Sequence, residues 1–162
     1  GYLFTETLSE NIKYGNPEAS KKKVLKSAYE ARMSDDIRGF PDGLKTLVGE
    51  RGITLSGGQR QRTALSRALL VDSKIIVLDD ALASVDNKTA SSILQSIKRQ
   101  YNKTVLMISH QLSAAAACDR ILVMNEGKIV QEGTHKFLIK KDGLYKSMWE
   151  REKAKEDLQS DY

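Results

Sequence analysis

Leu55-Ser56-Gly57-Gly58-Gln59 leads into Arg60-Gln61-Arg62 and a helical pattern, and a little further on Ile75-Ile76-Val77-Leu78 runs into Asp79-Asp80. Two adjacent glycines leave the backbone open to close approach. The helix that follows aims its positive end at the same point, and Ser56 adds a hydroxyl. This is an anion site, and a γ-phosphate is a natural occupant. The apolar run has the length of a strand, and it ends in two adjacent carboxylates. That arrangement is costly unless the acids serve a cation or each other. Together the two stretches read as parts of a nucleoside triphosphatase of α/β fold. The phosphate loop G-x-x-x-x-G-K-[ST] is not found in this sequence.

The chain has 162 residues, 40% hydrophobic and 29% charged, which suits one domain with a real core. Its longest apolar runs, such as Ile121-Leu122-Val123-Met124, are far too short to span a bilayer. No signal peptide is visible, and Gly1 rather than Met opens the chain in mid-pattern, so a fragment is expected. Cys118 stands alone, which excludes an internal disulfide and fits a reducing compartment. The net charge of +5 reads as scattered, solvated Lys and Arg. The densest cluster, Lys21-Lys22-Lys23, has Glu18 and Glu30 nearby and no interleaved aromatics, so no nucleic-acid partner is expected.

Working outward from the glycines, Ser56 caps a helix expected over 58–70, with Ala64, Leu65, Ala68 and Leu69 as its apolar stripe. Residues 1–54 read as helices and loops. Asn16 is the expected N-cap of a helix carrying Val24, Leu25, Ala28 and Ala31, with Pro17 in its first position. Breaks fall at 39–43, around Pro41, and at 49–52. Residues 74–78 and 104–108 read as buried strands from their continuous apolar character. Between them, 87–100 is a helix with Ala90, Ile93, Leu94 and Ile97 on one face. A short helix is expected over 112–117. Strands 121–124 and 128–131 are joined as a hairpin at Asn125-Glu126-Gly127. An amphipathic helix over 144–158 closes the chain. Strands alternating with helices argue for a mainly parallel sheet.

The candidate chemistry follows from placement. Asp79 suits Mg²⁺, directly or through water. Asp80 would sit near a nucleophilic water and orient or deprotonate it. His110, just past the second strand, lies where a ligand at the carboxyl edge of a parallel sheet could be reached. Blander readings exist for each: a plain capped turn at Ser56, a solvated acid pair, a surface imidazole at His110. Asp86 is the better cap for the helix starting near Asn87, and His135 has no functional context.

In this order and spacing the motifs resemble the C-terminal part of the nucleotide-binding domain of an ABC transporter. Leu55, Ser56, Gly57, Gly58 and Gln59 resemble the family's signature motif, and 75–80 its Walker B strand. Ser84-Val85-Asp86 resembles the D-loop, and Ser109-His110 the switch histidine. Val48-Gly49-Glu50-Arg51-Gly52 resembles a loop of exporters, and Leu3-Phe4 through Glu10-Asn11-Ile12 the segment after the Q-loop. The resemblance implies a partial P-loop NTPase. A helical signature region would cover about 1–68, a Walker B, D-loop and switch-histidine core about 69–150, and a frayed tail 151–162. The Walker A half is missing, as is any transmembrane domain. Asp80 stands where relatives carry Glu, and Gln111 where Arg often follows the histidine. Leu78-Asp79-Asp80-Ala81-Leu82 is similar to bacterial multidrug-type members.

The resemblance further implies ATP and Mg²⁺ as cofactors. Asp79 would serve the metal, Asp80 and His110 the chemistry, and 55–59, Ser84 and Asp86 the nucleotide and the coupling of two sites. The implied partners are a second ABC ATPase domain, a transmembrane domain and an exported small molecule, at the cytoplasmic face of the cell membrane. The acid substitution implies a heterodimer with one degenerate site. Two other readings stay open: an ABC-type ATPase of DNA repair or chromosome structure, and a non-catalytic remnant. The compact loop at 49–52 speaks against the first.

Overall fold

A computed structural model describes residues 2–49, 52–100 and 103–160, and its contacts divide the chain into two units, 1–108 and 109–162. In the first unit, β1 (Glu6–Thr7), α1 (Leu8–Lys13), α2 (Lys21–Glu30), α3 (Ser34–Gly39) and β2 (Leu47–Val48) lead to α4 (Gly57–Leu70). A turn of 3-10 helix, Gly43–Lys45, precedes β2. Then come β3 (Ile75–Asp79), α5 (Asn87–Gln100) and β4 (Thr104–Ile108). The strands form two-stranded sheets: β1 and β2 pair antiparallel, while β3 and β4 pair parallel with Asp79 opposite Ile108.

α4 packs against α1 and α2, and its buried face holds Thr63, Leu65, Ser66, Leu69 and Leu70. This face is rotated from the expected alanine stripe. Two hydroxyls can be buried because each donates one turn back, Thr63 to the Gln59 carbonyl at 2.8 Å and Ser66 to the Arg62 carbonyl at 2.9 Å. The buried Met33 sulfur lies against both. Arg67 on α4 donates through Nε to the Asn11 carbonyl at 2.9 Å, with its guanidinium 5.6 Å from each of the Phe4 and Tyr14 ring centres. Burial draws its pKa below the usual arginine value.

Several expectations need correction. Ser20, not Asn16, caps α2, its hydroxyl accepting from the Lys23 N–H, while residues 16–19 form the turn before it. Leu25 faces solvent. β1 and β2 lie inside a stretch expected to hold only helices and loops, since two residues carry no period to read. β3 and β4 fall where expected but are covered on one side only, fully on β3 and partly on β4. Ile76 and Leu78 are buried, whereas Ile75 and Ile108 are 61% and 50% exposed, with Val77 and Leu106 between them. A continuous apolar run marks a strand that suits cover on both faces, and here neighbours supply it on one. The turn expected at 49–52 closes through the Gly52 N–H on the Gly49 carbonyl, with Gly49 at φ +98°. Glu50 and Arg51 lie outside the described residues.

The second unit holds α6 (Leu112–Ala115), β5 (Ile121–Asn125), β6 (Lys128–Gly133), α7 (His135–Leu138) and α8 (Leu144–Ser160). β5 and β6 pair antiparallel, as the hairpin signal predicts. Glu126 and Gly127 both take positive φ, the geometry a tight turn between twisted strands requires. The core gathers Leu112, Ile121, Val123, Leu138 and Tyr145, with Trp149 against it. Among the described residues no helix is long and apolar enough to cross a membrane.

Candidate functional site

Ser56 keeps extended backbone before α4 and closes a reciprocal cap. Its Oγ accepts from the Gln59 N–H at 3.2 Å, and Gln59 Oε1 accepts from the Ser56 N–H at 2.9 Å. Helix geometry leaves the N–H groups of Gly57 and Gly58 without intrahelical acceptors. Arg60 Nη1 donates to the carbonyl of the buried Leu55 at 2.8 Å, which fixes the approach to the cap.

Both glycines sit against Ser84. A Cβ on Gly58 would lie 3.0 Å from the Ser84 carbonyl oxygen, and one on Gly57 would lie 3.4 Å from its Oγ. Gln61 Oε1 accepts from the Ser84 N–H at 2.8 Å. The fold therefore brings Leu55, Ser56, Gly57, Gly58, Gln59 and Ser84 together. Asp86 caps α5, its Oδ1 accepting from the Thr89 N–H at 2.9 Å.

Asp79 ends β3 with an exposed side chain. Asp80 follows in the left-handed region at φ +46°, a conformation Asp tolerates better than most residues. Its N–H extends the ladder to the Ile108 carbonyl at 2.9 Å, and its carbonyl accepts from the Ala83 N–H. Among the described residues no cluster of three His, Cys, Asp or Glu could hold a metal by itself. One exposed carboxylate at a strand end nonetheless suits Mg²⁺, which commonly takes one or two protein carboxylates and completes its shell from phosphates and water.

His110 lies in the second unit and is exposed. The N–H groups that follow it are tied down in turn. That of Gln111 donates to Ser109 Oγ at 3.0 Å, and those of Leu112 and Ser113 donate to the two Glu152 carboxylate oxygens at 2.9 and 3.0 Å. His135 has a structural place: its Nδ1 shares a 2.8 Å hydrogen bond with the Tyr145 hydroxyl, and its ring lies 4.5 Å from that of Trp149. Burial, and then the charge of Glu152, raise the Tyr145 pKa.

Sequence reading passed over Gln61, Asp36, Arg62 and Glu152. Asp36 accepts from Gln59 and Arg62, and Glu152 lies in a tail read only for its mixed charge. None stands in a local pattern that reveals its long-range partner.

A capped glycine pair lies beside a loop that continues from two strand-end carboxylates, and comparison with known proteins places the chain in a family. The family model for the ABC transporter matches residues 2–83, and the chain belongs to that family. It is 44% identical over 161 residues to "Multidrug resistance-like ATP-binding protein MdlA" of Buchnera aphidicola subsp. Schizaphis graminum, covering 98% of this chain and 28% of that protein. It is 42% identical over 154 residues to "ABC transporter B family member 24, mitochondrial" of Arabidopsis thaliana, covering 94% and 23%. A solved structure, a bacterial Atm1-family ABC exporter with ATP bound, matches with a TM-score of 0.86 and 39% identity, over 93% of this chain and 27% of that one. The chain thus has the fold of part of an ABC ATPase domain and spans about a quarter of the relatives it matches.

Proposed function

We propose that this chain is the signature and Walker B part of the ATPase domain of an ABC exporter half-transporter, working at the cytoplasmic face of a membrane. The observation that carries the reading is the Ser56-capped start of α4, seated on Ser84 in the loop that follows Asp79-Asp80. The ATP-bound exporter it resembles, and a relative named for multidrug resistance, support the transport assignment. A second ABC ATPase domain and a transmembrane domain are the partners, and a small molecule is the cargo. Functionally the chain divides near 68 and 150, into signature region, catalytic core and tail.

ATP lies between two such domains, each site combining one chain's Walker motifs with the other's signature. Ser56 and the N–H groups of Gly57 and Gly58 hold the γ-phosphate in the partner's site, with Leu55 and Gln59 shaping the loop. In this chain's own site Asp79 would hold Mg²⁺, which would supply charge neutralisation at the phosphates. Asp80 addresses the attacking water, His110 contacts the γ-phosphate, and Ser84 and Asp86 couple the two sites. Asp80 reaches about 1.5 Å less far than Glu, one carbon–carbon bond. This makes it a poorly placed catalytic base, and with a partner that carries Glu the pair is a heterodimer with one degenerate site.

Steady-state hydrolysis by the full-length protein with its partner tests this. Gly57→Asp places a carboxylate against the γ-phosphate and removes most activity, whereas Asp80→Asn removes little. Equal losses would indicate a symmetric homodimer. A harmless Gly57→Asp would take the signature out of the mechanism.

A further inference from the structure

We propose that Asp36 is a positioning residue of the signature, setting the Gln59 amide and through it the Ser56 cap that meets the triphosphate. This rests on the ATPase reading above. Asp36 lies on α3, well outside the signature, and its side chain is 17% exposed. Its Oδ1 accepts from Gln59 Nε2 at 3.1 Å, and its Oδ2 from Arg62 Nη2 at 2.7 Å.

The consequence follows from donor and acceptor counting. An ionised carboxylate only accepts, so it captures the amide nitrogen of Gln59 and turns Oε1 away. Oε1 then meets the Ser56 N–H at 2.9 Å. The Gln59 N–H occupies a lone pair on Ser56 Oγ, so the hydroxyl hydrogen is left to point at an anion. Arg62 is placed by the same carboxylate, and its Nη1 lies 3.1 Å from where a Cβ on Gly58 would sit. One side chain therefore sets the amide orientation at the cap and the cation behind the second glycine. Without it the amide can rotate, and the Ser56 N–H loses its fixed acceptor, which loosens the residue that carries Oγ.

The test uses the full-length protein with its partner and reads kcat and KM for Mg-ATP. A misplacement of about 1 Å at a reacting group costs about 10²-fold. Asp36→Ala is expected to lower kcat by about 10- to 100-fold and to move KM by less than about 3-fold, since the phosphate loop lies on the partner's side. Asp36→Asn keeps an oxygen for Gln59 but turns its amide nitrogen toward Arg62, so it loses activity but less than Asp36→Ala. Gln59→Glu sets two carboxylates against each other and loses about as much as Asp36→Ala. Adding Asp36→Asn to Gln59→Glu restores activity, because the Asn amide donates to the new carboxylate. This rescue does not depend on the alanine variant folding.

Failure of the rescue, equal losses in Asp36→Ala and Asp36→Asn, or wild-type kcat in Asp36→Ala would each overturn the inference. Gly57→Asp runs alongside. If it abolishes hydrolysis while Asp36→Ala does not, only the positioning role falls; if it is harmless, the signature drops out of the mechanism and takes this inference with it.

Discussion

The two signature glycines face Ser84 unequally, so alanine at each should have opposite effects on stability. At Gly57 a methyl would lie 3.4 Å from Ser84 Oγ and 3.5 Å from its Cβ, ordinary van der Waals contact. Its φ is not in the left-handed region. Gly57→Ala should therefore gain about 0.5 kcal/mol from reduced chain entropy, at the low end for a glycine in a helix. At Gly58 the methyl would sit 3.0 Å from the Ser84 carbonyl oxygen and 3.1 Å from Arg62 Nη1. The guanidinium could yield only by giving up its Asp36 partner at 2.7 Å, and the carbonyl belongs to a backbone that Gln61 holds at 2.8 Å. Overpacking against such a group typically costs about 1–3 kcal/mol. The net expectation for Gly58→Ala is a loss of about 1–2 kcal/mol, which is about 2–8 °C in melting temperature for a domain of this size. Thermal unfolding of the full-length protein carrying each variant measures it. Equal melting temperatures, or a lower one for Gly57→Ala, would refute the geometric argument. If Gly57→Ala keeps its stability and still loses hydrolysis, the loss reports the approach of the ligand and not damage to the fold.

The other expectations are narrower. Asp80→Glu in the full-length complex should raise turnover at this chain's own site, partly offset by the poorer fit of Glu to φ +46°; no gain in single-site hydrolysis would count against the poor placement of the base. The isolated chain should bind Mg-ATP weakly, because the phosphate loop supplies most triphosphate contacts in this class, and a low-micromolar constant by calorimetry would contradict that. Tyr145 should make the second unit alkali-sensitive: its folded pKa lies above the ordinary 10.0, so its contribution is full below pH 10.0 and is lost as pH rises through the folded value. The melting temperature of the full-length protein should fall more steeply above pH 10 than that of Tyr145→Phe, and parallel slopes would exclude the residue.

The legible parts of this chain are those where local chemistry and long-range structure agree. Ser56 reads as a cap because a hydroxyl before a helical pattern satisfies orphan N–H groups, and Gln59 at the third position completes the box. The Asn125-Glu126-Gly127 hairpin and the Asp86 cap are of the same kind. Asn16 misled because it is as good a local cap as Ser20; residues 16–19 close a separate turn, and the helix runs only from Lys21. Asp36 was invisible for the opposite reason. Its partners are 23 and 26 residues away, and an acid in a short polar helix looks like any solvated charge.

The strand faces mark the limit most clearly. Ile75, Val77, Leu106 and Ile108 are as apolar as Ile76 and Leu78, and the sequence treats both sides of β3 alike. Burial separates them completely. An apolar pattern states what a face would gain by being covered, about 25 cal/mol for each Å² removed from water, and says nothing about what covers it. The strands at 75–79 and 104–108 and their parallel direction could be read because apolar runs separated by a helix depend on the segments themselves. Which face is inward could not, because that depends on neighbours distant in sequence. The same holds for the site. The residue types at 55–59 and 79–80 suggest a phosphate and a cation, while Asp36, which holds Gln59, comes from elsewhere in the fold.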